Sequence, residues 1–410
     1  MTTYTISQVA ERLGLTRIAV RRLIAGGQLK ASRSGSRYVI AEADVEEYAL
    51  MAPRLLSVAP AADAEAASTE RRGANWVDIS DCWDAPAKSD MTFVDLFCGA
   101  GGLSKGLEMA GLEGICGLDF FKEAGMTYSR NFDHPFVYGD IKLEENKRKF
   151  YDTVARRLAG GRLDVVAGGF PCQGFSMAGN RIVDDPRNSL YLELVDIVGR
   201  LHPDFVVCEN VKGLRSMLNG GVERKILADF EAIGYKMNVA VLCAADYYTP
   251  QKRERVIFIG NRIGADNYHP APLLTPDRYV TTGRAIGDLI DRPADAAFNH
   301  VPTRHRPDMA ARMAALEEGR SLYSGYSDAW KKCPWDEASC TIKENHGGVN
   351  IHPRLPRVLT AREMARLQSF PDDFIFMGPK NKQLVQIGNA VPPLLGKAIG
   401  LAVRKAAGDL

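Results

Sequence analysis

"MTFVDLFCGAGGLSKGLEMAGLEGICGLDF", residues 91–120, decides the fold. An apolar run ends in a Gly-rich turn, an amphipathic stretch follows, and a second apolar run closes on Asp119. This is the outline of strand, tight turn, helix and strand. Gly99, Gly101 and Gly102 let the backbone turn sharply and approach a ligand. Asp119 falls twenty residues after Gly99, where an acid at a strand end is placed for ribose hydroxyls. Ser104 stands where a dinucleotide fingerprint has its third glycine. The turn therefore suits a nucleoside without phosphates better than a pyrophosphate.

Outward from this stretch the alternation continues. "PFVYGDI", "LDVVAGGF", "DFVVCENV", "NVAVLCAAD" and "RVIFIGNR" are further strand candidates, with helices such as "SLYLELVDIVGRLH" between them. The pattern predicts a doubly wound α/β sheet. No helix fits between the last two runs, so they read as an antiparallel hairpin at one edge. Beyond residue 262 the pattern dissolves, and the chain ends in helical "TAREMARLQSF" and "PLLGKAIGLAVRKAA".

Upstream, residues 1–51 read as a separate unit. Thr5 and Gln8 form a capping box, and Ile6, Val9, Ala10 and Leu13 recur at helical spacing. "LTRIAVRRLIAGG" reads as a second helix, "QLKASRSGSRYVI" as a hairpin turning at Ser34-Gly35-Ser36, and "AEADVEEYALM" as a closing helix. The outline is a winged helix-turn-helix, and it resembles excisionase-like and MerR-like DNA-binding heads. Arg17, Arg21 and Arg22 on the second helix, with Lys30, Arg33 and Arg37 in the wing, are placed for phosphates. The bland reading of these charges is a solvated basic helix in a docking module. Residues 52–90 are Ala-rich and polar, and read as a flexible linker.

The 410 residues carry a formal charge of +2, and are 46% hydrophobic and 25% charged, as in ordinary soluble domains. No signal peptide or membrane span is legible, so a cytoplasmic, nucleoid-associated, monomeric protein is expected. Eight cysteines include no zinc-spaced cluster, and Cys333 and Cys340 in "CPWDEASC" lack further ligands, so no metal is expected.

In an open α/β sheet, ligands bind at the carboxyl ends of the strands. "GGFPCQGFSMAGN", residues 168–180, places Cys172 there on a Gly/Pro-rich turn, whereas Cys98, Cys208 and Cys243 lie within apolar runs and read as core. A cysteine at a ligand edge reads as a nucleophile. Glu209 follows "FVVC", a costly place for a carboxylate unless it works or is paired. "QKRERVIFIG" sets Gln251, Arg253 and Arg255 on one face of an extended segment.

The succession "DLFCGAGGLSKGLEMAG", "GGFPCQGFS", "ENVKGL", "QKRERVIFIG", "RVLTAREMARLQSFPDDF" and "GNAVPP" resembles the DNA cytosine-5 methyltransferases across residues 91 to about 405. The resemblance implies a Rossmann-like catalytic domain over 91–264, a target-recognition domain over 265–340, and a C-terminal part over 341–410 that completes the catalytic domain. It implies methyl transfer from S-adenosylmethionine to carbon 5 of cytosine in a specific double-stranded DNA sequence, with the base flipped out of the helix. Cys172 would be the thiolate that adds to carbon 6, Glu209 would hold or protonate N3, and Arg255 would bind the O2 edge with Arg253 nearby. Phe97 and Phe120 would flank the adenine. Gly99, Ala100, Gly101, Gly102 and Leu103 would wrap the methionine end, Asp119 would take the ribose, and Asp140 and Ile141 would read the adenine edge. Pro171, Leu190, Asn389 and Val391 would complete the wall. Residues 174–188 would close over the flipped base, with Arg181 and Arg187 on phosphates. Ala390 stands where serine is common, and Phe120 where tryptophan also occurs. A cognate restriction endonuclease is an implied partner. The alternatives are a DNA-binding regulator with an inactive methyltransferase body and an RNA cytosine-5 methyltransferase.

Overall fold

The structure, a computed structural model, describes residues 3–12, 20, 24, 29–34, 37–45, 75–84, 86–171, 177–178, 181–182, 189–323, 330–343 and 349–410. The chain divides into two compact units, Met1–Arg72 and Gly73–Leu410.

In the larger unit the described strands of the main sheet are β1 (Thr92–Leu96), β2 (Glu113–Asp119), β3 (Phe136–Tyr138), β4 (Val165–Gly168), β5 (Phe205–Val211), β6 (Lys236–Cys243) and β7 (Glu254–Asn261). Helices α1 (Gly102–Met109), α2 (Lys122–Asn131), α3 (Glu144–Leu158), α4 (Ser189–Leu201) and α5 (Gly221–Ala232) alternate with them. The sheet order is β6-β7-β5-β4-β1-β2-β3. Strands β3, β2, β1, β4 and β5 are parallel neighbours, and β7 runs antiparallel to both β5 and β6. The expected hairpin is present, and its returning strand lies on the inner side, between β5 and β6. The order reverses between β1 and β4, which opens a crevice at their carboxyl ends.

The apolar runs are continuous because both faces of the sheet are covered. Val94, Leu96, Val166, Val206, Cys208, Val256 and Phe258 pack on one face with Phe150, Leu194 and Phe230. Phe93, Val165, Ala167, Phe205, Val207, Ile257 and Ile259 face the other side.

After β7 come α6 (Thr282–Ile286), α7 (Pro307–Ala315), α8 (Ala361–Leu367), α9 (Lys380–Asn389) and α10 (Pro393–Ala407). A capping box between Thr360 and Glu363 starts α8. Helix α10 lies against α1 along a seam of small residues. A Cβ on Gly106 would meet Gly396 Cα at 2.5 Å, and one on Gly400 would meet Ala110 Cβ at 2.7 Å. The last helix thus closes the face that the first one opens.

Two boundaries differ from expectation. The linker does not run to residue 90. Asn75–Val77 forms a strand parallel to Tyr268–Pro270, Ile79 is fully buried, and Ser89 donates to Asp409. Trp76, Val77 and Trp83 pack against the core on that side of the sheet. Nor do residues 265–340 form a core of their own. Ile286, Leu289, Met313 and Cys333 share one cluster with Met364, Phe370 and Phe374 of the C-terminal part and with Tyr128 and Phe132 of α2 and its end. With few large apolar residues, this segment buries them on its neighbours.

In the smaller unit, Thr5 N donates to Gln8 Oε1 at 2.9 Å and Gln8 N to Thr5 Oγ1 at 3.4 Å, which is the expected capping box. It starts the helix Ile6–Arg12. Strands Ser32–Ser34 and Arg37–Ala41 pair antiparallel, and Thr3–Tyr4 adds to Arg37–Ala41. Val9, Val20, Leu29, Ile40 and Val45 form the core. Lys30 is exposed. Arg17, Arg21 and Arg22 lie outside the described residues.

Candidate active site

A cavity of about 850 Å³ opens at the carboxyl ends of β1, β2, β4 and β5. Its first wall is the turn after β1. Phe97, Gly99 and Gly101 all have positive φ, at 56°, 53° and 92°. Two of the three are glycine, which enters this region freely, while Phe97 carries the strain. Asp119 at the end of β2 holds the turn, because its carboxylate accepts from Gly99 N and from Phe121 N, both at 2.8 Å. Burial pushes this carboxyl above the usual range, against the pull of those two donors. Each oxygen keeps a second lone pair for a ligand hydroxyl.

The opposite wall carries the polar chemistry. Glu209 on β5 pairs with Arg255 on β7, Nε to Oε1 at 2.8 Å, with both side chains nearly buried. Their backbones are brought close by the antiparallel register that sets Glu209 beside Ile257. Arg253 is 2% exposed and donates to the carbonyls of Ile342 and Gly388. It ties the start of β7 to the C-terminal part. Its Nε is buried with no hydrogen-bond partner among the described residues. Burial, with the charge of Arg255 beside it, pulls the Arg253 pKa well below the usual range. Gln251 lies away from the cavity and bonds Leu367 and Gln368 instead.

Phe97, Gly99, Ala100, Leu103, Asp119, Phe120, Asp140, Ile141, Pro171, Leu190, Asn389 and Val391 line the cavity, and so do Glu209, Arg253 and Arg255. Gly101 and Gly102 do not. A Cβ on Gly101 would meet the Phe132 ring at 2.4 Å, and one on Gly102 the Val391 carbonyl at 2.2 Å. These two glycines permit close packing behind the turn, and are not walls of the pocket. Cys172 and Arg187 lie outside the described residues, though Pro171 reaches the cavity just before Cys172. Arg181 falls on the short strand Arg181–Ile182, paired with Met177–Ala178.

A profile of C-5 cytosine-specific DNA methylases matches residues 91–405. The chain belongs to that family. The methylase is 38% identical over 331 residues to the Type II methyltransferase M1.HphI of Haemophilus parahaemolyticus, covering 77% of this chain and 87% of that protein. It is 33% identical over 376 residues to M.DdeI of Desulfomicrobium norvegicum, covering 75% and 87%. Among solved structures it resembles a prophage-encoded DNA modification methyltransferase of E. coli, with TM-score 0.63, 26% identity, and 78% and 100% of the two chains covered. A helix-turn-helix profile matches residues 3–51 of the methylase. The family's methyl donor is S-adenosylmethionine.

The cavity of the methylase fits that donor. Its walls are mainly apolar at Phe97, Leu118, Ile141 and Val391, with Asp119 and Asp140 at the ends of β2 and β3. Its volume lies within the range of small-molecule sites, roughly 300–1,000 Å³. Sequence reasoning missed Asp95, Lys343, Lys382 and Gln386, which also line it. Asp95 carried a usable signal, being an acid inside an apolar strand, the same argument that singled out Glu209. Lys382 and Gln386 lie on a helix remote in sequence, and only the fold brings them here.

Proposed function

We propose that the methylase transfers a methyl group to carbon 5 of cytosine in a specific double-stranded DNA sequence, through a covalent adduct on Cys172 and with the target base flipped out. A Type II modification role fits the naming of its relatives. The observation that carries the reading is one cavity holding the Asp119-braced turn on one wall and the Glu209–Arg255 pair on the other.

S-adenosylmethionine supplies an electrophilic methyl group when bound. Asp119 would receive its ribose hydroxyls, and Phe97, Phe120, Asp140, Ile141, Pro171, Leu190, Asn389 and Val391 would enclose the rest. Carbon 5 of cytosine is a poor nucleophile by itself. The Cys172 thiolate adds to carbon 6, and the electron pair moves to carbon 5. Glu209 holds N3, and Arg255 neutralises charge at O2, so the ring accepts the thiolate. Arg253 braces the segment on which Arg255 sits. After transfer the carbon 5 proton leaves, the bond from carbon 6 to sulfur breaks, and 5-methylcytosine is released. Flipping the base costs a few kcal/mol of stacking and pairing, which contacts from Arg181 and Arg187 to the backbone offset. Arg17, Arg21 and Arg22 of the head add phosphate contacts of their own.

Bisulfite sequencing of DNA from a host expressing the protein reads activity and target site together. Cys172→Ser is expected to abolish methylation while leaving cofactor affinity within about threefold, since the thiolate acts on the base. DNA with 5-fluorocytosine at the target should trap wild-type protein, because fluorine cannot leave as a proton does. An active serine variant, or no adduct at the mapped site, overturns the mechanism.

A further inference from the structure

Asp95 is the one cavity-lining residue whose chemistry the reaction above does not use and whose environment demands a use. It is 1% exposed, in the middle of the sheet. The Ser104 hydroxyl donates to its Oδ2 at 2.6 Å. Its other oxygen, Oδ1, is buried with no hydrogen-bond partner among the described residues. A buried carboxylate oxygen left unpaired is costly, and this one belongs to a wall of the ligand cavity.

The groups around it deepen the puzzle. Ser104 lies 2.9 Å from the Tyr128 hydroxyl, which lies 2.7 Å from His134 Nε2. Burial holds His134 neutral at neutral pH, pulled down to about 4. The Ser104 hydroxyl gives its proton to Asp95 Oδ2, which favours the ionised carboxyl. His134 Nδ1 faces Glu108 Oε1 at 3.5 Å. Against ionisation stand burial and the charges of Asp119 and Glu209. Burial pushes the Asp95 carboxyl up to about 7. The surroundings are thus arranged for an anion that nothing in the described protein neutralises.

The charge that would complete the site is set by its position. Asp119 and Glu209, the residues read here as holding the ribose and the base, both act on Asp95. In S-adenosylmethionine the sulfonium sulfur is bonded to the ribose and carries the methyl that must reach the base. Asp95 lines the same cavity, on the strand that enters the Gly-rich turn. We propose that Asp95 is the counter-charge for the sulfonium centre, and lets the methylase hold the methyl donor in preference to the spent thioether, S-adenosylhomocysteine. This rests on the cofactor reading of the cavity.

The inference has a signature in protons. Seating a cation beside Asp95 ionises it, so donor binding expels a proton and tightens as pH rises through 7. The thioether carries no sulfonium charge and lacks this linkage. Calorimetry in buffers of different ionisation enthalpy at pH 7 should show release of about 0.5 proton more for S-adenosylmethionine than for S-adenosylhomocysteine, given a carboxyl near 7. Asp95→Asn should remove that difference. It should also weaken the donor by about tenfold or more, and the thioether by less than about threefold. Equal losses for the two ligands, or equal proton release in the wild type, overturns the inference. If the asparagine variant does not fold, the wild-type pair of titrations decides alone. Failure of the wild type to bind either ligand removes the cofactor reading itself, a different result from binding without discrimination.

Discussion

Arg255 shows how one residue is prepared for its work. Its Nε meets Glu209 Oε1, and its Nη1 donates to the Glu254 carbonyl at 2.7 Å, so two contacts fix the guanidinium in advance of the role proposed for it. Such preorganised charge acts at full strength in a site that excludes water. Glu209→Gln keeps the volume and removes the charge. We expect kcat to fall by roughly 100-fold or more, with S-adenosylmethionine affinity unchanged, since the proposed mechanism assigns the pair to the base. Single-turnover transfer of a labelled methyl group, with calorimetry for the cofactor, reads both values. A kcat within threefold of wild type would sink the role given to Glu209. Arg253, two residues earlier, has the opposite character. Both Nη atoms are spent on backbone carbonyls from distant segments. Its substitution is a structural change first.

At the scale of elements, the approach to β1 matters more than its composition suggests. The segment from Asn75 straps the body through its strand with Tyr268–Pro270 and through buried Ile79. Arg404, 1% exposed on α10, donates to the carbonyl of Ala87, and Lys405 pairs with Asp81. Trp83 stacks on Tyr248 with Lys397 over its ring. Two truncations separate the strap from the head. Removing residues 1–72 should leave the melting temperature of the body and its methylation of short duplexes essentially intact. Removing residues 1–90 exposes the groove that Ile79 fills and strips Arg404 of an acceptor, at a cost of roughly 3 kcal/mol or more. Equal melting of the two truncated proteins would show that the strap contributes nothing. The seam between α1 and α10 works at the same scale, with Gly106 and Gly396 letting two backbones approach as closely as side chains elsewhere would forbid.

Across the whole molecule, buried titratable groups set the response to pH. Burial pulls His134, His269 and His352 down to about 4. Each is neutral in the folded protein and takes a proton only on unfolding once pH drops below about 6.5. Their contribution is therefore complete above that value and is lost as pH falls toward 4. Asp95 acts in the other direction. Its carboxyl is raised, so the stability it contributes is complete at low pH and is lost as pH climbs from about 4 to 7. Thermal melts of the cofactor-free protein should show a steep loss below pH 6.5, where three histidines outweigh one aspartate. They should also show a shallower decline between pH 6.5 and about 7, which Asp95→Asn flattens. A melting temperature constant between pH 5 and 6.5 would contradict the burial of the histidines. No described helix is long and apolar enough to cross a membrane.

The strand and helix succession, the Gly-rich turn, Asp119, Glu209 and the arginine pair were legible in the chain because each rests on local chemistry. Apolar runs of strand length, glycines at a forced turn, and acids inside apolar segments declare themselves within a few residues. The capping box at Thr5 is local in the same way. Three things were decided only in three dimensions. Strand β7 lies between β5 and β6, which alone brings Arg255 to Glu209. Gly101 and Gly102 serve packing because Phe132 and the Val391 carbonyl lie behind them, one some thirty residues and the other nearly three hundred residues along the chain. Asp95 lines a cavity and keeps one buried oxygen unpaired among the described residues, because the single proton of Ser104 goes to its other one. In the first two cases the deciding partner is distant in sequence, and periodicity carries no information about a neighbour that chain folding alone supplies.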